Sequence, residues 1–218
     1  DIRDRAHPAK AAAVLDVGCG YGRLAIGLGR AGFKGKYLGF DILAPHVAWA
    51  GDTITRWRRR LRFVHVDVRN DRYNAKGEID PADFRFPVPD RSVDAAVLFS
   101  VFTHFYTHDI ERYLRELRRV VRPNGVVIAT YLLFDDMTLE AARTTSSYPM
   151  VHQLDDDCIY SDAEDPLRAI AYRQSTVLEQ IERVGFVITA VERGRWNGGS
   201  GPDFQDGVTF RPAVAWPQ

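Results

Sequence analysis

Short apolar runs that end in an acid or a small polar residue recur along this chain, separated by segments whose apolar positions fall three or four residues apart. The runs lie at 14–17, 36–42, 61–68, 92–100 and 126–133. Near-continuous apolarity bounded by turn residues is the pattern of strands buried on both faces of a sheet. The segments between them predict helices. One covers 23–31 and is stopped by Gly32. A second covers 44–60, with Val47, Ala48, Ile54 and Trp57 turned inward and Arg56, Arg58, Arg59 and Arg60 outward. A third covers 109–121, where Ile110, Tyr113, Leu114, Leu117, Val120 and Val121 form one apolar stripe, and Pro123-Asn124-Gly125 ends it. A last helix carrying Val177, Leu178, Ile181 and Val184 stops at Gly185, and strands follow at 186–191 and 206–211. Alternation of this kind predicts an α/β domain built on a mostly parallel sheet.

Two stretches break the alternation. Residues 69–92 are polar and rich in Asn, Asp, Gly and Pro, and residues 135–170 hold one short helix near 139–143 among loops. Connections this long are usually functional, so both read as insertions in a single domain over 1–218, the first placed to wall a substrate pocket. With 218 residues, 45% of them hydrophobic and 27% charged, the chain can bury a substantial core. Lys plus Arg and Asp plus Glu each total 29, so no excess of cations draws a polyanion and a nucleic-acid partner is disfavoured. The arginines at 56 and 58–60 read as a solvated helix end whose cations suit the helix dipole. Two cysteines, Cys19 and Cys158, supply neither a disulfide framework nor zinc spacing. No apolar run has membrane-spanning length and no secretory signal precedes the first strand. The expectation is a cytoplasmic protein that stays off membranes. Because the chain starts at Asp1 rather than a methionine, an N-terminal segment is expected to be missing. Oligomeric state cannot be read from the sequence.

The chemistry concentrates in Val14-Leu15-Asp16-Val17-Gly18-Cys19-Gly20-Tyr21-Gly22-Arg23. A strand runs into a turn with glycines at alternate positions, and a helix begins there. Such a turn lets a ligand approach the backbone, and the helix start offers unpaired N–H groups. The dinucleotide-binding fingerprint requires a third glycine where Arg23 stands, which disfavours a nicotinamide cofactor. Asp41 ends the second strand twenty-one residues after Gly20. It is placed to accept both ribose hydroxyls of a nucleoside; as a helix cap it would be structural only.

The acid-x-Gly-x-Gly-x-Gly spacing of Asp16, Gly18, Gly20 and Gly22 resembles motif I of the class I S-adenosylmethionine (SAM)-dependent methyltransferases, of the type 11/12-like domain. The stretch Ser100-Val101-Phe102-Thr103-His104 resembles the segment after the fourth strand of many small-molecule methyltransferases. The passage from helix through Arg122-Pro123-Asn124-Gly125 into a strand fits the same pattern. The resemblance implies a Rossmann-like, doubly wound seven-stranded sheet in the order 3-2-1-4-5-7-6 with the last strand antiparallel. It implies SAM as cofactor, with S-adenosylhomocysteine as its product. Asp16, Gly18, Cys19, Gly20 and Gly22 would form the cofactor turn, and Asp41 and Ile42 would flank the ribose. Asp67 would face the adenine amino group and the Val68 N–H a ring nitrogen. Ser100 would face the methyl donor.

For the acceptor side, the expectation is a small molecule methylated on a hydroxyl, such as a sugar or natural product. His104 is the candidate general base, because imidazole titrates near neutrality and a hydroxyl acceptor must lose its proton; a structural histidine bonded to a backbone carbonyl is the competing reading. Phe102, Tyr106, Tyr131, Tyr172, Arg195 and Trp196 are candidate acceptor contacts. His65 reads as structural. The acids at 155–157 read as solvated, and no metal is assigned. An RNA or protein methyltransferase and a SAM-binding domain without chemistry of its own are the alternatives.

Overall fold

The computed structural model describes residues 12–144 and 147–213; the ends of the single-domain expectation over 1–218 lie outside the described residues. Strands β1 (Ala13–Val17), β2 (Lys36–Asp41) and β3 (Leu61–His65) form one half of a parallel sheet. Strands β4 (Val93–Leu98) and β5 (Val121–Tyr131) continue it on the other side of β1. Two further strands, β10 (Phe186–Glu192) and β11 (Asp206–Pro212), complete a seven-stranded sheet in the order β10-β11-β5-β4-β1-β2-β3. Only β11 runs antiparallel, pairing with β5 on one side and β10 on the other. The predicted order 3-2-1-4-5-7-6 is thus the observed one.

Helices α1 (Arg23–Arg30) and α2 (Ala44–Ala50) cover one face, packing Ala25, Leu28 and Ala50 on Val14, Tyr37 and Leu61. On the opposite face Leu114 and Leu117 of α3 (Thr107–Val120) and Ile181 of α5 (Gln174–Arg183) are fully buried against β4, β5 and β11. The second predicted helix is much shorter than 44–60. It passes at Gly51 into a π-helical turn, Gly51–Thr55. A π-turn adds a residue to the helical repeat and rotates everything after it, so Trp57 is 81% exposed rather than inward. Ala48 also faces solvent. The fifth strand starts directly at the end of α3, and Arg122–Gly125 loops out as a bulge between the Val93↔Val121 and Ala95↔Val126 pairs. The third strand stops at His65, three residues short of its predicted end.

The described parts of the two insertions carry structure of their own. In 69–92, Phe84 and Phe86 insert into the core beside Phe40 and Tyr113. Glu116 accepts the Phe86 N–H at 2.7 Å, while Arg119 donates to Glu116 and to the carbonyls of Phe86 and Val88. The sequence of 135–170 predicts one short helix among loops. It instead contributes α4 (Leu139–Thr144), β7 (His152–Asp155) and β8 (Cys158–Tyr160). With β6 (Leu133–Phe134) and β9 (Ile170–Arg173), β8 and β7 make a second sheet in the order β6-β9-β8-β7. Its own core of Leu132, Phe134, Met150, Ile159 and Ala171 is closed by Trp196. Among the described residues, no helix is long and apolar enough to cross a membrane.

Candidate active site

The carboxyl ends of β1, β2 and β4 converge on a cleft of about 320 Å³. Its floor is the glycine turn. Gly18, Gly20 and Gly22 all have positive φ, at 70°, 50° and 75°, a region that non-glycine residues enter only at a cost. A Cβ on Gly18 would stand 2.6 Å from Val101, and one on Gly22 2.8 Å from Ile54 and Phe63. A Cβ on Gly20 would meet nothing within 4 Å, since Gly20 borders the open cleft. Gly22 caps α1, so the helix N-terminus faces the same space.

Asp41 lines the cleft and is only 8% exposed. Its Oδ2 accepts the Gly20 N–H at 2.7 Å and its Oδ1 accepts the Leu43 N–H at 2.9 Å. Each carboxylate oxygen therefore keeps a lone pair for a further donor, the arrangement a vicinal diol needs. Ile42, Val68 and Phe40 supply an apolar slot beside it. Of the predicted cofactor residues, Gly18, Gly20, Asp41, Ile42, Val68 and Ser100 meet on this cleft.

The other cofactor candidates stand behind it. Cys19 packs its side chain against Gly39, and Gly22 serves α1. Asp67 turns away from the cleft: its carboxylate accepts Asn74 Nδ2 at 2.8 Å and the Glu78 N–H at 3.3 Å, which lowers its pKa. The 69–92 insertion folds back on the end of β3 and supplies both partners, and Asp67 does not line the cleft. Asp16 is buried under the turn, where Tyr37 donates its hydroxyl to Oδ2 at 2.5 Å. Burial pushes the Asp16 pKa up to about 7, against the lowering effect of the Tyr37 hydrogen bond. A carboxyl whose folded pKa is raised favours the fold below its unfolded pKa of 3.8, and that contribution is lost as pH rises through about 7. The Asp16→Asn variant is therefore expected to gain stability relative to the parent between pH 4 and pH 8. Paired urea melts at the two ends of that range check it, and equal differences at both would refute the shift.

Four acceptor candidates are structural. Tyr172 is buried and its hydroxyl bonds the carbonyls of Phe102 and Phe105. Phe102 and Tyr131 stack beneath the sheet edge with centroids 5.1 Å apart, both fully buried. Trp196 is 1% exposed and donates its indole N–H to Asp206 Oδ2 at 2.6 Å. None of the four lines the cleft. Aromatic residues near strand ends resemble pocket walls in sequence, but here they fill the seam between the two sheets. Arg195 is exposed on its own loop with its guanidinium on the Pro202 carbonyl, and Tyr106 stacks on His108 outside the cleft. The acids at 155–157 sit at the β7–β8 turn, where Asp157 pairs with Arg173. Among the described residues, no group of three or more metal-ligating side chains stands together.

His104 lines the cleft wall. Its Nδ1 lies 2.8 Å from the Leu167 carbonyl, so Nδ1 carries the proton and Nε2 keeps its lone pair. Nε2 faces the Tyr73 hydroxyl at 3.5 Å. Burial lowers the His104 pKa below its ordinary 6.5, with the Leu167 hydrogen bond opposing. Sequence reasoning missed several residues that share this wall: Arg23, His46, Asn70, Tyr73 and Asp109. Arg23, which counted against a nicotinamide site, itself borders the cleft. Arg72 pairs with Asp165, so the two insertions meet beside His104.

Ser100 marks the far end of the cleft with φ 56°. Left-handed backbone at a non-glycine residue is strained and gathers at functional sites. The turn sends the Ser100 N–H to Thr130 Oγ1 at 2.8 Å.

A cleft over a glycine turn, a buried acid at the end of β2 and a seven-stranded sheet with one reversed strand are the features of the class I methyltransferase fold. Residues 15–129 match the family described as "Methyltransferase domain". The chain belongs to that family. Over 125 residues it is 30% identical to a probable SAM-dependent methyltransferase of Mycolicibacterium smegmatis, covering 57% of this chain and 40% of that protein. Over 103 residues it is 29% identical to the tRNA (guanine-N(7)-)-methyltransferase of Porphyromonas gingivalis, covering 45% of this chain and 42% of the other. The matches thus span about two fifths of each curated relative's length. A SAM-dependent methyltransferase structure from Methanosarcina mazei superposes with a TM-score of 0.64 at 17% identity, covering 95% of each chain.

Proposed function

We propose that this protein transfers the methyl group of SAM to a hydroxyl of a small molecule, with His104 as the base. Bound at the glycine turn, SAM would supply a methyl group activated by its positively charged sulfur. Asp41 would hold the ribose, and Gly18 and Gly20 would let the cofactor lie against the backbone. Arg23 stands on the same wall, where its charge suits a carboxylate. At His104, Nε2 would take the hydroxyl proton while the acceptor oxygen gains the methyl group. The 69–92 loop and the 135–170 insertion would exclude water from the reacting hydroxyl beside His104.

The observation that carries this reading is the wall of the cleft at His104. There a neutral imidazole, its tautomer fixed by Leu167, stands between two insertions joined by Arg72 and Asp165. A base flanked in this way suits a compact acceptor better than a folded polymer. The relation to a tRNA (guanine-N(7)-)-methyltransferase favours RNA as the second reading. Incubation with methyl-labelled SAM and separate pools of small metabolites, saccharides, RNA and protein decides between them. Label in the metabolite or saccharide pool supports the proposal, and label in RNA or protein overturns it.

A further inference from the structure

Beyond Ser100 a second cavity opens, about 620 Å³ in volume, and shares only Phe99 and Ser100 with the cofactor cleft. It lies over the ends of β5 and β11, where the reversed direction of β11 brings Gln205 to the same edge as Thr130. Three polar side chains close on one another there. The Ser100 hydroxyl donates to Gln205 Oε1 at 3.0 Å and the Thr130 hydroxyl donates to the same oxygen at 2.6 Å. The Ser100 N–H meanwhile binds Thr130 Oγ1. With Oε1 held twice, the amide is fixed, and among the described residues nothing accepts from Gln205 Nε2. The strained turn at Ser100 and this held amide stand at the one boundary the two cavities share.

The rest of the lining sets the ligand's chemistry. Phe99 and Phe204 give apolar surface. Arg193 also borders the cavity, but its guanidinium is engaged: Nη1 donates to Gln174, Nη2 to the Leu133 carbonyl, and Nε pairs with Asp206. Among the described residues no cation is left there to receive an anion, and Glu192 and Asp203 add carboxylates to the lining. The volume is that of a pocket for a drug-sized molecule.

We infer that this cavity seats the body of the methyl acceptor, whose reacting hydroxyl reaches past Ser100 into the cleft that His104 lines, and that the acceptor is a neutral small molecule with an apolar body and a second hydroxyl or a carbonyl that accepts from Gln205 Nε2. The inference rests on the small-molecule reading above and goes further, since it selects a subsite, names a specificity residue and rejects phosphorylated and other anionic acceptors. Gln205 is a binding residue in this scheme. Ser100 and Thr130 position it.

The test uses the intact protein, labelled SAM, and a panel of p-nitrophenyl glycosides and methoxyphenols beside their phosphorylated counterparts. Label is expected in neutral members and not in the phosphorylated ones. Gln205→Glu keeps an acceptor for Ser100 and Thr130 but replaces the Nε2 donor by a carboxylate oxygen. It is expected to raise the KM of the neutral acceptor about tenfold or more, because a hydrogen bond built for the acceptor becomes a repulsion. SAM affinity, measured by calorimetry, should stay within about twofold, as for a substitution outside the cofactor cleft. A second variant is independent of the amide. Asp203→Cys labelled with a bulky maleimide should block transfer while SAM still binds; Cys19 and Cys158 are buried and do not compete. Transfer to neutral acceptors that neither variant alters would overturn the assignment of this cavity while leaving the small-molecule reading intact. Preference for phosphorylated acceptors would overturn the predicted class. Label in RNA alone would remove both.

Discussion

Replacement of Asp41 by alanine is expected to lower SAM affinity by roughly two to four orders of magnitude, the loss of two hydrogen bonds to a charged group at about 1.5–3 kcal/mol each. The magnitude follows from what the carboxylate does twice over. It offers a lone pair from each oxygen to the cleft, and it already holds the N–H groups of Gly20 and Leu43. Its removal takes away both ribose partners and leaves two backbone donors to find others. Asparagine is no rescue, because its NH₂ must face one of those N–H donors. Asp41→Asn should therefore resemble alanine rather than the parent. Calorimetric titration with S-adenosylhomocysteine, paired with a urea melt, separates the two consequences. Binding within about threefold of the parent in both variants would remove Asp41 from the ribose role.

The second large effect is expected at His104. Loss of a general base typically costs about 10²–10⁴-fold in kcat, and His104→Ala is predicted to fall in that range with little change in SAM affinity. The pH profile supplies the sharper check. Burial holds the imidazole pKa below 6.5, so Nε2 remains a free base at neutral pH and becomes protonated only as pH falls below that value. The parent kcat should decline along an acidic limb lying below pH 6.5, and the alanine variant should lack that limb. A different outcome has an equally clear meaning. A raised KM for SAM with kcat and the limb intact would make His104 a tie between the insertions, bonded to Leu167 and facing Tyr73, and not a base.

That the glycine turn and Asp41 share one cleft was legible in the sequence because each part of that cleft is local. Three glycines with positive φ and an acid at the end of the next strand are fixed by spacing along the chain, and the parallel pairing of β1 with β2 brings them together. Asp67 obeyed the same spacing but was claimed by Asn74 and Glu78, partners that no periodicity announces. The acceptor half was harder to read for a related reason. Tyr172 and Trp196 were chosen as aromatic residues near strand ends, yet burial in the seam between two sheets had a stronger pull on them than any ligand. That second sheet was invisible because its strands have only two to four residues each, too short for alternation to register. Gln205, a single amide in a glycine-rich loop, gained its meaning only from the convergence of three strand ends.

The placement of β11 also bears on how the molecule assembles. This strand follows β10 in sequence but lies between β10 and β5 in the sheet, so β10 has no ladder to join until β11 has been made. During synthesis the ladder from β3 through β5 can zip up first, and the glycine turn and Asp41 can take their final form with it. The edge carrying Arg193, Gln205 and Asp206 must wait for the last insertion, a long-range pairing of the kind that slows folding. A nascent chain would thus acquire its nucleoside cradle before its selectivity, and a ligand of that cradle could steady the intermediate while two open strand edges are still searching for each other.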